Sequence, residues 1–313
     1  MTLVTGAAGF IGSHLAEALI ASGHQVRGVD AFTPYYDRAA KEANLLVARR
    51  ADGFDFHELD LRTADLTPLL DDVDVVYHQA AQPGVRLSWS TGFAEYVSCN
   101  VLATQRLLEA VRDVPLDRFV YASSSSVFGN ATAYPTTEDM PTQPHSPYGV
   151  TKLAAEHLCG LYAANYGVPT VSLRYFTVYG PRQRPDMATH RLIEAALDDR
   201  PFPLYGDGSH VRDFTYVADV VAANRAAGTE PVPPGAVINV CAGGSTSVAE
   251  LIDAVGAAVG RPVPLDRQPP QAGDVLRTGG DHALARDLLG WHPQTSLLEG
   301  VEAQVSWHLA RRA

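Results

Sequence analysis

The string TGAAGFIG, Thr5 to Gly12, constrains this chain more than any other feature because of what flanks it. The apolar pair Leu3 and Val4 precedes it, and the stretch from Ser13 to Ser22 that follows reads as a helix. Between a strand and a helix, glycines have separate tasks. The first permits a tight turn, the second lets backbone approach a pyrophosphate, and the third allows close helix packing, with the helix N-terminus facing the anion. Here those are Gly6, Gly9 and Gly12, and Phe10 and Ile11 between them are also expected at the cofactor. A second strand, Gln25 to Val29, ends at Asp30, where a carboxylate hydrogen-bonds an adenine ribose diol and repels a 2′-phosphate. No arginine immediately follows, so the pattern predicts NAD rather than NADP. A glycine turn alone could be structural; strand, helix and acid together specify a dinucleotide.

Further strands are expected at Phe54 to His57, Val73 to His78, Arg118 to Ala122 and Thr170 to Arg174, with helices at about Phe93 to Arg112 and Tyr148 to Tyr166. Runs this apolar, alternating with helices, imply an α/β fold with a doubly wound parallel sheet of Rossmann type. Asp60 and Leu61, and Ala80 and Ala81, then fall at strand C-terminal ends, where ligands of open sheets bind. After Arg174 the elements shorten. Helices are expected near His190 to Leu197, Val217 to Ala227 and Val248 to Val259, and the Pro-rich stretches 231–234 and 262–270 read as loops. The expected division is residues 1–176 for the cofactor, with a return segment at about 213–242, and 177–313 as a smaller C-terminal α/β substrate-binding lobe interleaved with it.

Of the 24 basic residues only Lys41 and Lys152 are lysines, and the net charge is −11, which argues against a nucleic-acid surface. No apolar run is long enough to span a membrane, and no signal segment is recognisable. Cys99, Cys159 and Cys241 are not paired in CxxC motifs, consistent with reduced thiols and a cytoplasmic location. No spacing of His, Cys or carboxylates suggests a metal site, and none is expected.

Tyr148 and Lys152, in YGVTK, share a helix face. Ser146 as N-cap and Pro147 at the first helical position start that helix just before the tyrosine. A phenol of ordinary pKa near 10 is a poor base at neutral pH, but a nearby ammonium and a cationic nicotinamide favour the phenolate. Tyr148 is then suited to removing a hydroxyl proton while hydride leaves the same carbon. A bare YxxxK also occurs on ordinary surface helices. What singles this one out is ASSSSVFG, Ala122 to Gly129, directly after the fifth strand.

With these motifs the chain resembles the extended short-chain dehydrogenase/reductases that act as NAD-dependent nucleotide-sugar epimerases and dehydratases. The resemblance implies that Ser124 assists Tyr148 and Lys152 at the sugar 4-hydroxyl, and that Asn100 and Tyr175 complete the cofactor set. Members that dehydrate or decarboxylate carry carboxylates just after this serine, where this chain has Ser125 and Ser126. Without them, proton transfer at C5 or C6 lacks its acid and base, which leaves C4 epimerisation. Phe128 replaces the family's usual tyrosine.

RYFT from Arg174 to Thr177, GPRQRPDM from Gly180 to Met187, AAQPGVR from Ala80 to Arg86 and DAFTPYYD from Asp30 to Asp37 are most similar to UDP-glucuronate 4-epimerases. The alternative is a 4-epimerase of a neutral UDP-hexose or UDP-N-acetylhexosamine. The resemblance implies that Ser125, Ser126 and Thr177 surround the C5 carboxylate and that Arg86 belongs to the substrate site. It also implies Arg212 at the pyrophosphate, Tyr205 near the uracil, and Asp274 and Arg277 at the nucleotide end. Arg184 is either a cation for the carboxylate or a loop arginine paired with Asp186. The helices at about 93–112 and 148–166 suggest a homodimer contact, with intrachain packing as the alternative.

Overall fold

Strands β1 (Thr2–Thr5), β2 (Val26–Asp30), β3 (Phe54–Glu58), β4 (Val75–His78), β5 (Arg118–Ser124) and β6 (Thr170–Tyr175) carry the apolar runs of the first half of the chain. A computed structural model describes residues 1–269 and 275–312. β1, β5 and β6 are buried along their whole length, whereas β3, at the sheet edge, is partly exposed. Together with Ala236–Val240 they form a seven-stranded sheet in the order Ala236–Val240, β6, β5, β4, β1, β2, β3. Every pairing in it is parallel. The order reverses between β1 and β4, which opens a crevice at their C-terminal ends.

Helices cover both faces. Phe10–Ala21 and Val217–Thr229 bury Leu15, Leu19, Val220 and Ala223 on one side. Ala103–Val111 and Pro147–Tyr166 bury Leu107, Leu108, Ala155 and Cys159 on the other. A separate core of Tyr179, Leu192, Leu251, Val301 and Val305 holds together helices Ala188–Leu197, Val248–Val259 and Leu297–Ala310. No helix among the described residues is long and apolar enough to cross a membrane.

Three local expectations are corrected. The helix expected at Phe93 to Arg112 is interrupted by a π-helical stretch, Val97–Leu102. The widened turn carries Asn100 inward, where its amide accepts from Gln82 N–H at 2.7 Å and donates to the Gln82 carbonyl at 3.1 Å and to Thr151 Oγ1 at 3.0 Å. The Pro-rich 262–270 stretch contains a strand, Leu265–Gln268, because its prolines flank rather than interrupt the pairing with Phe202–Tyr205. Ala283–Leu289 and Leu297–Ala310 are helices that the sequence pattern did not predict; the second starts with a capping box at Ser296 and Glu299.

The Pro147–Tyr166 helix is fixed at both ends. Ser146 Oγ accepts from Gly149 N–H at 3.1 Å, and Gly167 ends the helix in the left-handed region with φ 73°. Its middle is tied to the sheet by a buried ion pair. Arg174 Nη2 lies 2.7 Å from Glu156 Oε1, Arg174 Nε 3.0 Å from Oε2, and Ser123 Oγ donates to Oε2 at 2.6 Å. Removing one partner of such a pair strands the other charge in the core. Glu156→Ala should therefore lower unfolding stability by about 3–5 kcal/mol. Glu156→Gln should cost less, as measured by urea denaturation with an unchanged slope.

Candidate active site

Two cavities meet at the crevice between β1 and β4. The first is lined by Gly6, Gly9, Phe10, Ile11 and Gly12, by Asp30, Asp60, Leu61, Ala80 and Ala81, and by Tyr148, Lys152 and Tyr175. Gly6 has φ +69°, and a Cβ there would lie 2.8 Å from the Ala80 nitrogen; a Cβ on Gly12 would overlap the Gly6 carbonyl oxygen. The turn is thus as tight as backbone permits. Asp30 is locked to it, its Oδ2 accepting from Ala8 N–H at 3.2 Å and its Oδ1 from Phe32 N–H at 2.8 Å. Burial raises the Asp30 carboxyl above the usual range, and Lys41, with Nζ 3.9 Å away, opposes that shift. Asp60 is gripped by Arg62 through Nε at 2.9 Å and Nη2 at 2.7 Å, which holds its carboxyl below the ordinary value.

The second cavity is lined by Ser124, Ser125, Ser126, Thr177, Arg86, Arg184, Tyr205 and Arg212. The two share a wall that includes Phe10, Tyr35, Tyr148, Tyr175 and Arg184. Ser124 Oγ accepts from Ser126 N–H at 3.1 Å, so its own hydrogen is available to the Tyr148 phenol. Lys152 Nζ donates to the Ala122 carbonyl at 2.7 Å and sits 5.0 Å from the centre of the Tyr121 ring. Burial lowers its ammonium to about 7. Burial also raises the Tyr148 phenol; the Ser124 hydrogen bond and the Arg184 charge pull it back. Lys152 Nζ is turned to a backbone carbonyl, and the Arg184 charge is a further cation that favours the phenolate.

Two expected residues are not on these walls. Asn100 is buried behind the first cavity, where it fixes the Gln82 backbone through its amide. Arg277 is exposed, with its guanidinium 4.8 Å from the centre of the Tyr134 ring. Asp274 lies outside the described residues.

The family model for the NAD dependent epimerase/dehydratase family matches residues 2–241. The chain belongs to this family. It is 44% identical over 309 residues to an uncharacterized UDP-glucose epimerase of Bacillus subtilis, covering 97% of this chain and 96% of that one. It is 40% identical to the UDP-glucose 4-epimerase of Mycolicibacterium smegmatis, covering 98% of this chain and 97% of the relative. A crystal structure of UDP-glucuronic acid 4-epimerase from Bacillus cereus, in complex with UDP-glucuronic acid and NAD, superposes with a TM-score of 0.96 at 43% identity, covering 99% of each chain.

As a member of this NAD-dependent family, the chain presents a first cavity that fits the cofactor on its own geometry. The turn, free of side chains, lets a ligand's phosphates approach the helix N-terminus, and Asp30 lies on the same wall, where it suits a ribose diol. Sequence reasoning missed Lys41, Arg62, Tyr36 and Cys99 on its wall, because they reach it from loops and helices with no motif of their own. It also missed Asp213, whose buried carboxylate accepts from Ala242 N–H at 2.9 Å and Gly243 N–H at 3.0 Å while its carbonyl accepts from Thr177 N–H at 3.0 Å. Because the Ser124 hydrogen bond favours the phenolate, Ser124→Ala should raise the pKa of Tyr148 and move the acid limb of the kcat/KM profile to higher pH. It should also lower kcat about 10- to 100-fold, as expected for loss of a hydrogen bond to a charged group. A pH–rate profile of the variant checks both.

Proposed function

We propose that the chain is a UDP-glucuronate 4-epimerase, interconverting UDP-glucuronate and UDP-galacturonate. The coarser assignment, an NAD-dependent UDP-sugar 4-epimerase, is established by the family and by relatives aligned over nearly the whole chain. The uronate is favoured by one feature: the cavity beside Tyr148 is lined by the hydroxyl side chains Ser124, Ser125, Ser126 and Thr177 and by Arg184 with its partner Asp186, and the segment after Ser124 carries no carboxylate. Hydroxyls and a guanidinium suit a C5 carboxylate, which a glutamate at Ser125 or Ser126 would repel.

In this reading Tyr148 takes the proton from the sugar 4-hydroxyl and later returns it, with Ser124 hydrogen-bonded to the same phenol oxygen. NAD, when bound, accepts hydride from C4 and returns it to the other face, and its cationic ring favours the phenolate. Lys152 is held beneath that site by the Ala122 carbonyl and serves the cofactor ribose. Between the two transfers the 4-keto sugar turns over, while Arg212 and Tyr205 keep the nucleotide end in place. Gly6, Gly9, Gly12, Asp30, Asp60 and Lys41 hold the cofactor, and Asn100 positions the loop that covers it.

Arg184 combines the two alternatives posed by the sequence. Its Nε and Nη2 lie 3.0 and 3.1 Å from Asp186 oxygens, yet the side chain lines both cavities. Paired with Asp186, it is held as a fixed donor rather than a mobile charge.

A β-keto uronate can lose carbon dioxide when its carboxylate bond aligns with the carbonyl π-system. We assign Thr177, Ser125 and Ser126 to holding the carboxylate out of that alignment. Incubated without added NAD, the protein should convert UDP-glucuronate faster than UDP-glucose or UDP-N-acetylglucosamine, as followed by NMR. Turnover of a neutral hexose without turnover of the uronate overturns the assignment. Thr177→Ala should release UDP-4-keto-pentose and slow epimerisation; unchanged epimerisation with no such product removes the role given to Thr177.

The dimer face we propose is the pair of helices flanking the cofactor side, which expose Val97, Leu102, Val150 and Leu161. Light scattering at micromolar concentration should give twice the chain mass.

A further inference from the structure

We propose that His190, Glu194 and His308 form a binding site for one divalent transition-metal ion of the zinc type, outside the cavities described above. No metal site was expected because His308 lies far along the chain from the other two. The fold brings them together. His190 and Glu194 are one turn apart on helix Ala188–Leu197, and His308 faces them from helix Leu297–Ala310. Each offers a ligand atom within 4.8 Å of the other two. An ion with metal–ligand bonds of about 2.0–2.2 Å sets its donors roughly 3.3 Å apart, so modest side-chain rotation closes the site.

The protonation pattern is that of metal-ready imidazoles. His190 Nδ1 lies 2.8 Å from the Gln183 carbonyl oxygen, which only accepts, so Nδ1 carries the hydrogen and Nε2 keeps a lone pair. His308 Nδ1 lies 2.5 Å from Glu194 Oε1, so these two donor atoms face each other across a single proton that an ion would displace. His308 is only 3% exposed, so packing holds its ring in that place. The two rings stand edge to face with centroids 4.6 Å apart. A carbonyl acceptor behind a ligating histidine, as Gln183 stands behind His190, is a usual means of fixing tautomer and ring orientation.

Of the charged groups around the cluster, Arg312 binds Glu194 Oε2 at 2.6 Å and Asp198 at 2.7 Å, which leaves Oε1 as the oxygen that would meet the ion. Arg311 is stacked on Trp307, with its guanidinium 4.9 Å from the ring centre. Two imidazoles and one carboxylate suit zinc, cobalt, nickel or copper and not magnesium or calcium, which take all-oxygen sites. The ion would clamp the C-terminal helix to the helix that also carries Arg191 to the substrate cavity.

The test uses the untagged full chain, stripped with EDTA and dialysed. Cobalt titration followed by visible absorption, and zinc titration by calorimetry, should each saturate at one equivalent. Zinc should raise the thermal midpoint, and magnesium at the same concentration should not. His190→Ala and His308→Ala should abolish saturable binding, and Glu194→Gln should weaken it about 10- to 100-fold. His24→Ala, at an exposed histidine elsewhere, should bind as the parent does. Circular dichroism checks each variant's fold, and His190→Gln and His308→Gln replace any alanine variant that fails to fold. Failure of the parent chain to bind one equivalent, or binding that survives in both histidine variants, overturns the proposal.

Discussion

Glu156 is buried where the Pro147–Tyr166 helix crosses the ends of β5 and β6, and the positions of Tyr148, Ser124 and Lys152 depend on its three hydrogen bonds to two partners, Ser123 and Arg174. Arg174 precedes Tyr175, Ser123 precedes Ser124, and Glu156 lies one turn beyond Lys152 on the helix that starts at Tyr148. One carboxylate thus sets the height of the helix against two strands, and with it the distance between the phenol, the serine and the lysine. Arg174 extends the tie to the Glu138 carbonyl at 3.2 Å and packs 4.7 Å from the centre of the Phe128 ring. This gives Phe128 a packing role behind the site. A hydrophobic substitute for the ion pair could match it in stability, but it would not fix the register between helix and strands with the same directionality.

The electrostatics of the crevice follow from where the two lysines are. Both line the cofactor cavity of a chain that otherwise uses arginine. Lys152 is fully enclosed and poised near neutrality, so its charge responds to what binds above it. Lys41 and Asp30 shift towards each other's neutral form, because burial outweighs their mutual attraction across 3.9 Å. Arginines, which hold their charge under desolvation, are placed instead where a fixed fork is needed: at Asp60, at Asp186 and along the second cavity.

The parallel sheet was legible because β1, β5 and β6 are covered on both faces and read as continuous apolar runs. The glycine turn, Asp30 and the YxxxK pair were legible because their chemistry is tied to local spacing. The π turn at Asn100 was not, since the same residues form an ordinary amphipathic helix until a buried amide must reach the Gln82 backbone. The four serines look equivalent in sequence. The family resemblance sets Ser124 apart from Ser125 and Ser126, but only the fold shows that Ser123 turns to Glu156, with Ser124 at the phenol and Ser125 and Ser126 lining the second cavity. Lys41, Asp213 and the His190 cluster are created by tertiary contact, and no local pattern announces them.

The serine run also bears on what the site avoids. A carboxylate at Ser125 or Ser126 would face the same cavity as Arg184 and Thr177, and it would both repel a uronate and offer a base near C5. Hydroxyls can donate to a substrate carboxylate yet remain protonated at neutral pH, so they orient it without moving protons. Thr177 is the best fixed of them: its strand pairs with Phe214–Tyr216, and Asp213 pins that strand to the 242–243 loop through two backbone N–H groups. If the substrate is the uronate proposed above, a threonine on backbone fixed in this way would restrain the carboxylate's torsion while C4 stays free to present either face. That reading combines a rigid end, at Thr177 and the serines, with a sugar that rotates about the diphosphate linkage.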